Sequence, residues 1–198
     1  MATVSAVSTT IERVSSGLPY GRWTPRGTLR WYLVCTPQGA EVATCSKVRK
    51  IVGPDVLEDA FVMFKERWFH REGVWSLRRT QLWREYFFVA TCDVVLLDRA
   101  LRHLSFPARI AGTDGHAFAP LDMEAQAWFS RALDRSYVLR NSIATILDGV
   151  LHVESGPLVG QERHIFKVNR HKRTCLVRVC DGDGGFVIQM PIDIPFKS

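Results

Sequence analysis

The sequence predicts an α+β protein in which a domain of sheet and helices is followed by a small all-β barrel. Up to about residue 133, β-rich runs alternate with three amphipathic segments of helical spacing. From residue 143 onward the helical period is lost, and short β-rich runs are separated by glycine, proline and asparagine. The 198 residues suffice for one medium domain and a small second one.

In the first domain the strand signals are β-branched and aromatic runs, and the helix signals are apolar spacing with an aspartate at the start. The predicted strands are Trp31–Thr36, Ala60–Phe64, Val74–Leu77, Leu82–Cys92 and Ala108–Ala111. The predicted helices are Ala40–Val52, Val94–Leu104 capped by Asp93, and a helix capped by Asp122 that ends at Leu133. We therefore place this domain at residues 30–133, after a flexible leader at 1–29 that is rich in serine, threonine, glycine and proline.

The second domain is predicted at residues 143–198, after a linker at 134–142. Its strand candidates are Val150–Val153, Arg163–Val168, Thr174–Cys180, Phe186–Met190 and Ile192–Ile194, the last bracketed by two prolines. About five strands in so short a segment are typical of a small barrel.

Composition narrows the class of protein. Five cysteines are an odd number with no C-x-x-C pair, which indicates free thiols in a reducing cytoplasm. No run is long and apolar enough for a membrane span, and the N-terminus lacks the pattern of a secretory signal. The common motifs of hydrolases, phosphate-binding loops and zinc proteases are absent, so we expect no enzyme, no cofactor and no metal site.

The most basic segment is predicted to be a hairpin with its charges at the tip. Between residues 163 and 180 there are six lysines and arginines, two histidines and no acidic residue. Such a tip fits phosphates of a nucleic-acid backbone, and it equally fits a solvated turn without a ligand. The residues concerned are Arg163, His164, Lys167, Arg170, His171, Lys172 and Arg173.

The second distinctive segment is the aromatic strand that begins at Leu82. Alternation places Tyr86 and Phe88 on one face and Trp83 and Phe87 on the other, so both faces carry large apolar side chains. Either one face is left to dock a partner, or the rest of the protein covers both.

With these features the chain resembles the NusG-type transcription factors, and within them the LoaP-like antiterminator branch. Trp31-Tyr32-Leu33-Val34, followed by Gly39 and Glu41, is similar to the start of the family's first domain. Gly156-Pro157 and the later Gly160 are similar to the KOW motif, and Arg170-His171-Lys172-Arg173 is similar to the R-H-K-R signature of the LoaP-like branch. The resemblance covers roughly residues 30–198.

The resemblance implies an NGN domain with a central antiparallel sheet, followed by an SH3-like KOW barrel. It implies that an apolar hollow formed by Cys35, Tyr86 and Phe88, with Trp83 nearby, binds the clamp helices of RNA polymerase. It also implies that the basic hairpin binds nascent structured RNA, so that a cytoplasmic monomer promotes read-through of terminators in chosen operons. DNA of the transcription bubble is a further candidate partner, and no membrane is expected.

Two alternatives stay open. The protein could be a general NusG-like elongation factor whose KOW domain binds another Nus factor or the ribosome and no RNA. An enzyme or small-molecule binder is the third hypothesis. One departure from the family concerns the polymerase contact: Trp83-Arg84-Glu85-Tyr86 stands where the family has F-P-G-Y, so the proline and glycine that bend the chain are replaced by two charged residues.

Overall fold

The computed structural model describes residues 27–112, 118–180 and 185–195. Residues 1–26, most of the predicted leader, therefore lie outside the described residues. Up to residue 133 the elements are β1 (Arg30–Cys35), α1 (Glu41–Ile51), β2 (Asp59–Phe61), β3 (Phe64–Arg71), β4 (Val74–Gln81), β5 (Tyr86–Thr91), α2 (Val94–Arg102), β6 (Arg109–Ile110) and α3 (Met123–Ala132). After it come β7 (Val138–Leu139), β8 (Ser142–Leu147), β9 (Val150–Ser155), a 3₁₀ turn (Glu162–His164), β10 (Ile165–Asn169), β11 (Thr174–Arg178) and β12 (Val187–Asp193).

The α+β class is confirmed. Strands β2, β5, β1 and β6 form an antiparallel sheet in that order, and β10, β11, β12, β8 and β9 form a five-stranded sheet. The three predicted helices are present. Asp93 accepts a hydrogen bond from the Leu96 backbone N–H at the start of α2, and Asp122 caps α3 in the same way.

Two hydrophobic cores flank the first sheet. One, the helix-side core, packs Val34, Phe87 and Val89 against α1 and α2. The other, the shared core, packs Phe88 and α3 against side chains of the five-stranded sheet, among them Val177 and Met190. Both faces of β5 are therefore covered from Phe87 onward in this arrangement, and Tyr86 at its start is half-buried.

Three strand boundaries differ from the prediction. The run Ala60–Phe64 is split, because Val62 is buried in the helix-side core and Met63 in the shared core, so the chain crosses between them there. The strand expected at Leu82–Cys92 begins only at Tyr86, since Glu85 has a positive φ of 68°. Strand β12 continues through Pro191 although proline has no N–H to donate. The N–H of the next residue, Ile192, donates to the Arg173 carbonyl and keeps the strand paired.

The largest omission of the prediction is strand β3, which forms an eight-residue antiparallel ribbon with β4. At the turn of this ribbon both Glu72 and Gly73 have positive φ, the geometry of a type I′ hairpin. Strand β8 was also missed and supplies one of the five strands of the second sheet.

The segment 134–142, predicted as a linker, packs against the first domain. Strand β7 within it pairs in parallel with the start of β3. Arg140 forms ion pairs with Glu66 of β3 and with Asp134. The proposed division of the chain at this segment stays a prediction, and the two parts share one core across it.

Candidate functional site

The four residues predicted to bind polymerase lie together, and we call them the docking cluster: Cys35, Trp83, Tyr86 and Phe88. Cys35 is the cross-strand partner of Tyr86, and Leu33 is that of Phe88, so these side chains share one face of the sheet. The Trp83 ring lies 5.5 Å from the Phe88 ring, measured between centroids. Cys35, Trp83 and Tyr86 are half-buried.

The docking cluster is partly covered by the five-stranded module. Phe88 is only 2% exposed and stacks on Phe61 at 5.7 Å. The Trp83 ring lies 5.7 Å from Phe129 of α3 and 6.0 Å from Phe186, which directly precedes β12. In this arrangement Tyr86 and Cys35 form the accessible edge of the cluster, and Phe88 belongs to the core.

The bend before β5 is present although the proline and glycine are not. Glu85 occupies the left-handed region at the position where the family has glycine. Its N–H donates to the buried Glu41 carboxylate at 2.8 Å, and its carbonyl accepts from the Thr36 N–H at 2.9 Å. The chain therefore bends by means of hydrogen bonds from elsewhere in the fold.

Glu41 is held in its charged form by these contacts. Burial opposes ionisation, but the hydrogen bonds that the carboxylate accepts from backbone N–H groups, first among them that of Glu85, outweigh it, so the pKa of Glu41 is below its usual range. Glu41 thus fixes the turn that orients Trp83 and Tyr86.

The predicted basic hairpin is formed by β10 and β11, with its turn at residues 170–173. Arg170, His171 and Lys172 are exposed at the tip, and we call these three the basic tip. The Lys172 N–H donates to the Asn169 side chain at 2.9 Å, and the Arg173 N–H donates to the Arg170 carbonyl at 3.1 Å. These bonds fix the turn and leave the side chains of the basic tip in solvent.

Three other residues predicted to contact RNA lie outside the turn of the hairpin. Lys167 is exposed on β10. Arg163 and His164 lie in the 3₁₀ turn before the hairpin, where the Arg163 Nε contacts the His164 Nε2 at 3.0 Å.

The Arg173 side chain reaches the β3–β4 ribbon. Its guanidinium lies 4.7 Å from the Trp68 ring centroid and 4.9 Å from that of Trp75. It also forms an ion pair with Asp193 at 3.3 Å. Arg173 is half-buried, and through these contacts it ties the hairpin to the first domain. Its role in RNA binding stays a prediction.

The KOW-motif residues shape the turn after β9. A Cβ on Gly156 would lie 2.6 Å from the Asn141 carbonyl oxygen, so only glycine fits this close approach. Pro157 follows, and the Leu158 N–H then donates to the Ser142 hydroxyl at 3.3 Å. Gly160 has a positive φ of 71° with open space around it.

The ribbon carries a second set of cations that the sequence analysis did not single out: Lys65, Arg67, Arg71, Arg78 and Arg79. The available signal was the presence of basic and aromatic residues on both sides of Glu72-Gly73. It was overlooked because only Val74–Leu77 was read as a strand.

No group of three or more histidine, cysteine or acidic side chains suited to a metal occurs in the part of the chain that the structure describes. Cys175 lies on β11 and Cys180 follows its end at Arg178, and both side chains are buried in the shared core. Burial raises the pKa of Cys175 to about 12, which disfavours the thiolate. Among the described residues no helix is of the length and apolarity that a membrane crossing requires.

Comparison with known proteins gives a likeness in structure but none in sequence. No protein-family model matches the chain, and no curated protein matches it. A solved structure concerning domain interaction in Thermotoga maritima NusG is similar over 83% of this chain and 94% of that one, with 14% sequence identity and a TM-score of 0.47. A likeness at that level establishes neither family nor function.

Proposed function

We propose that this protein is a non-enzymatic, NusG-like transcription factor of the LoaP-like branch that acts in the cytoplasm. Its first domain binds the clamp helices of RNA polymerase, and its second domain binds structured RNA and directs read-through to particular operons. The observation that carries the proposal is the basic tip: three exposed basic side chains on a fixed hairpin turn, with no ion pair to any described carboxylate. Exposed cations without partners attract a phosphate backbone.

The polymerase contact is proposed for the docking cluster. A factor promotes elongation only if it binds the closed, elongating state of polymerase more tightly than the paused state. Because Phe186 packs on Trp83, a partner that takes the whole cluster has to displace the second module. The accessible edge at Tyr86 and Cys35 offers the first contact.

Replacement of Tyr86 by glutamate tests this contact. Tyr86 is half-exposed, so the variant is expected to stay folded and to lose polymerase in co-purification, since a carboxylate replaces an apolar contact. Phe88→Glu is the poorer test, because a charge at a fully buried site is expected to unfold the domain. The matched control is Val95→Glu on the exposed side of α2. Retained polymerase binding by a folded Tyr86→Glu protein would contradict the proposal.

The RNA contact is tested at the basic tip. The double variant Arg170→Gln/Lys172→Gln is expected to weaken binding to structured RNA and to reduce the slope of log affinity against log salt by roughly 0.7 for each lost phosphate contact. Arg99→Gln/Arg131→Gln, at two exposed helix positions, removes the same charge and serves as the control. If the tip variant has the same salt dependence of RNA binding as the parent protein, the basic tip does not contact RNA phosphates.

One observation favours the alternative of a general elongation factor whose second domain binds protein. Phe166 on β10 is 51% exposed and Val187 on β12 is 48% exposed, and both lie beside Arg178 on the outside of the module. An apolar pair with a central arginine is typical of protein contacts. RNA binding that survives in the tip variant, together with loss of a protein partner in Phe166→Ser, would favour this alternative.

A further inference from the structure

The β3–β4 ribbon has one strongly cationic face. The strand register places Arg67 directly opposite Arg78, with Lys65 and Arg71 two and four positions away on the same face. Both guanidinium groups of the opposed pair lie near the Phe69 ring, at 5.3 and 5.4 Å from its centroid. We call Lys65, Arg67, Arg71 and Arg78 the ribbon cations.

Two like charges directly opposite each other destabilise a strand pair. The ribbon's carboxylates do not relieve this repulsion. Glu66 lies on the other face, where it binds Arg140 and the Asn141 N–H, and Glu72 in the turn pairs with Arg71. Among the described residues, no carboxylate forms an ion pair with Arg67 or Arg78. An external polyanion would relieve this repulsion.

Two of the ribbon cations, Lys65 and Arg67, adjoin the start of β11, just after the turn that carries the basic tip. Arg67 and Thr174, the residue that follows the turn, line the same narrow cleft. Arg173, at the end of that turn, packs on Trp68 and Trp75, which lie on the Glu66 face of the ribbon, opposite the ribbon cations. Lys65 in addition donates to the Gln189 carbonyl of β12 at 3.0 Å. These contacts fix the ribbon and the hairpin beside each other.

We propose that the ribbon cations form a second contact surface for the RNA that the basic tip binds, so that one RNA backbone spans both domains, with Arg173 as the positioning residue between them. The inference rests on the proposed function. The ribbon contacts are made to phosphates, because Phe69 is already flanked by two guanidinium groups and offers no free ring for a base. A double-helical RNA, recognised through its backbone and shape, is the ligand that such a surface fits.

The test measures affinity of the full chain for an RNA stem-loop with a stem of about 16 base pairs, and for the DNA stem-loop of the same sequence, over a range of salt. The variant is Arg67→Gln/Arg78→Gln, which removes the opposed pair and keeps side-chain length. Its expected effect is weaker RNA binding and a salt slope reduced by about 0.7–0.9 for each arginine. Arg99→Gln/Arg131→Gln is the control with equal charge loss, and it is expected to bind like the parent protein.

The tip variant Arg170→Gln/Lys172→Gln separates this inference from the function on which it rests. If the tip variant loses affinity and slope while the ribbon variant matches the control, the ribbon surface is refuted and the proposed function stands. If neither variant differs from the control, the RNA-binding function itself fails. Equal affinity for the DNA stem-loop, with equal loss in the ribbon variant, would overturn the assignment to RNA.

Discussion

Replacement of Glu85 by glycine is expected to stabilise the protein. Glu85 has a φ of 68°, in a region that residues with a Cβ avoid. The bend is formed by its backbone, through the Glu41 carboxylate and the Thr36 N–H, and its own exposed side chain forms no hydrogen bond among the described contacts. Glycine keeps both backbone bonds and removes the steric conflict.

The change in the free energy of unfolding caused by Glu85→Gly is the difference between two opposing contributions. The left-handed conformation costs an L-residue about 1–2 kcal/mol. Glycine loses more backbone entropy on folding, which costs about 0.5–1 kcal/mol. The net gain is about 0.5–1 kcal/mol, and for a chain of this size each kcal/mol raises Tm by about 2–4 °C. We therefore expect Tm to rise by about 1–4 °C.

Thermal unfolding followed by circular dichroism measures the change, with Arg84→Gly as the matched control. Arg84 precedes Glu85 in the same turn and does not have a positive φ, so glycine there brings only the entropic loss. The two variants should thus differ by about 1–2 kcal/mol, with opposite signs relative to the parent protein. If Glu85→Gly lowers Tm as much as Arg84→Gly does, the explanation of this bend by backbone conformation is wrong.

Three further predictions concern Glu41, Gly156 and Arg173. The pKa of Glu41 is lower in the folded protein than in the unfolded chain, where it is about 4.3. The ionised carboxylate therefore stabilises the fold above that pH, and this stabilisation is lost as the pH falls through the folded-state pKa. Glu41→Gln should lower the stability to urea at neutral pH, and the stability of this variant should fall less in acid than that of the parent protein. Gly156→Ala should destabilise by about 1–3 kcal/mol more than Gly160→Ala, because both have positive φ but only the first meets backbone atoms; equal losses in thermal unfolding would contradict this. Arg173→Gln should cost about 1–2 kcal/mol and change tryptophan fluorescence, whereas Arg170→Gln should leave both nearly unchanged.

The helices were predictable because their signals are local. Asp93 and Asp122 stand directly before apolar residues at helical spacing, and the same residues cap α2 and α3 in the structure. The start of β5 was not predictable in this way. The turn that delays it is fixed by Glu41, which is 44 positions away from Glu85 in the chain. A strand boundary set by such a distant contact is invisible to a pattern of alternation.

In the candidate site, too, the features set by local sequence were predictable and those set by distant contacts were not. The sequence cluster at residues 170–173 predicted an exposed basic turn, and Arg170, His171 and Lys172 are exposed at a turn. The different position of Arg173 depends on Trp68 and Trp75, which belong to a ribbon that sequence reasoning had read largely as a loop. Sequence spacing alone does not show that Arg173 differs from its exposed neighbours, because the two tryptophans that it contacts are distant in the chain.

In the proposed function, polymerase binding and the packing of the second module depend on the same side chains. Phe88 is closed within the shared core, and Trp83 contacts Phe186, so full use of the docking cluster requires the modules to separate. Were they separated in one molecule in a hundred, the apparent affinity would be about a hundredfold below the intrinsic one, a difference of about 2.7 kcal/mol. The contacts of Arg173 with the ribbon contribute to that cost, since they too join the modules. An affinity measured with the intact chain therefore reports the polymerase contact and the separation of the modules together.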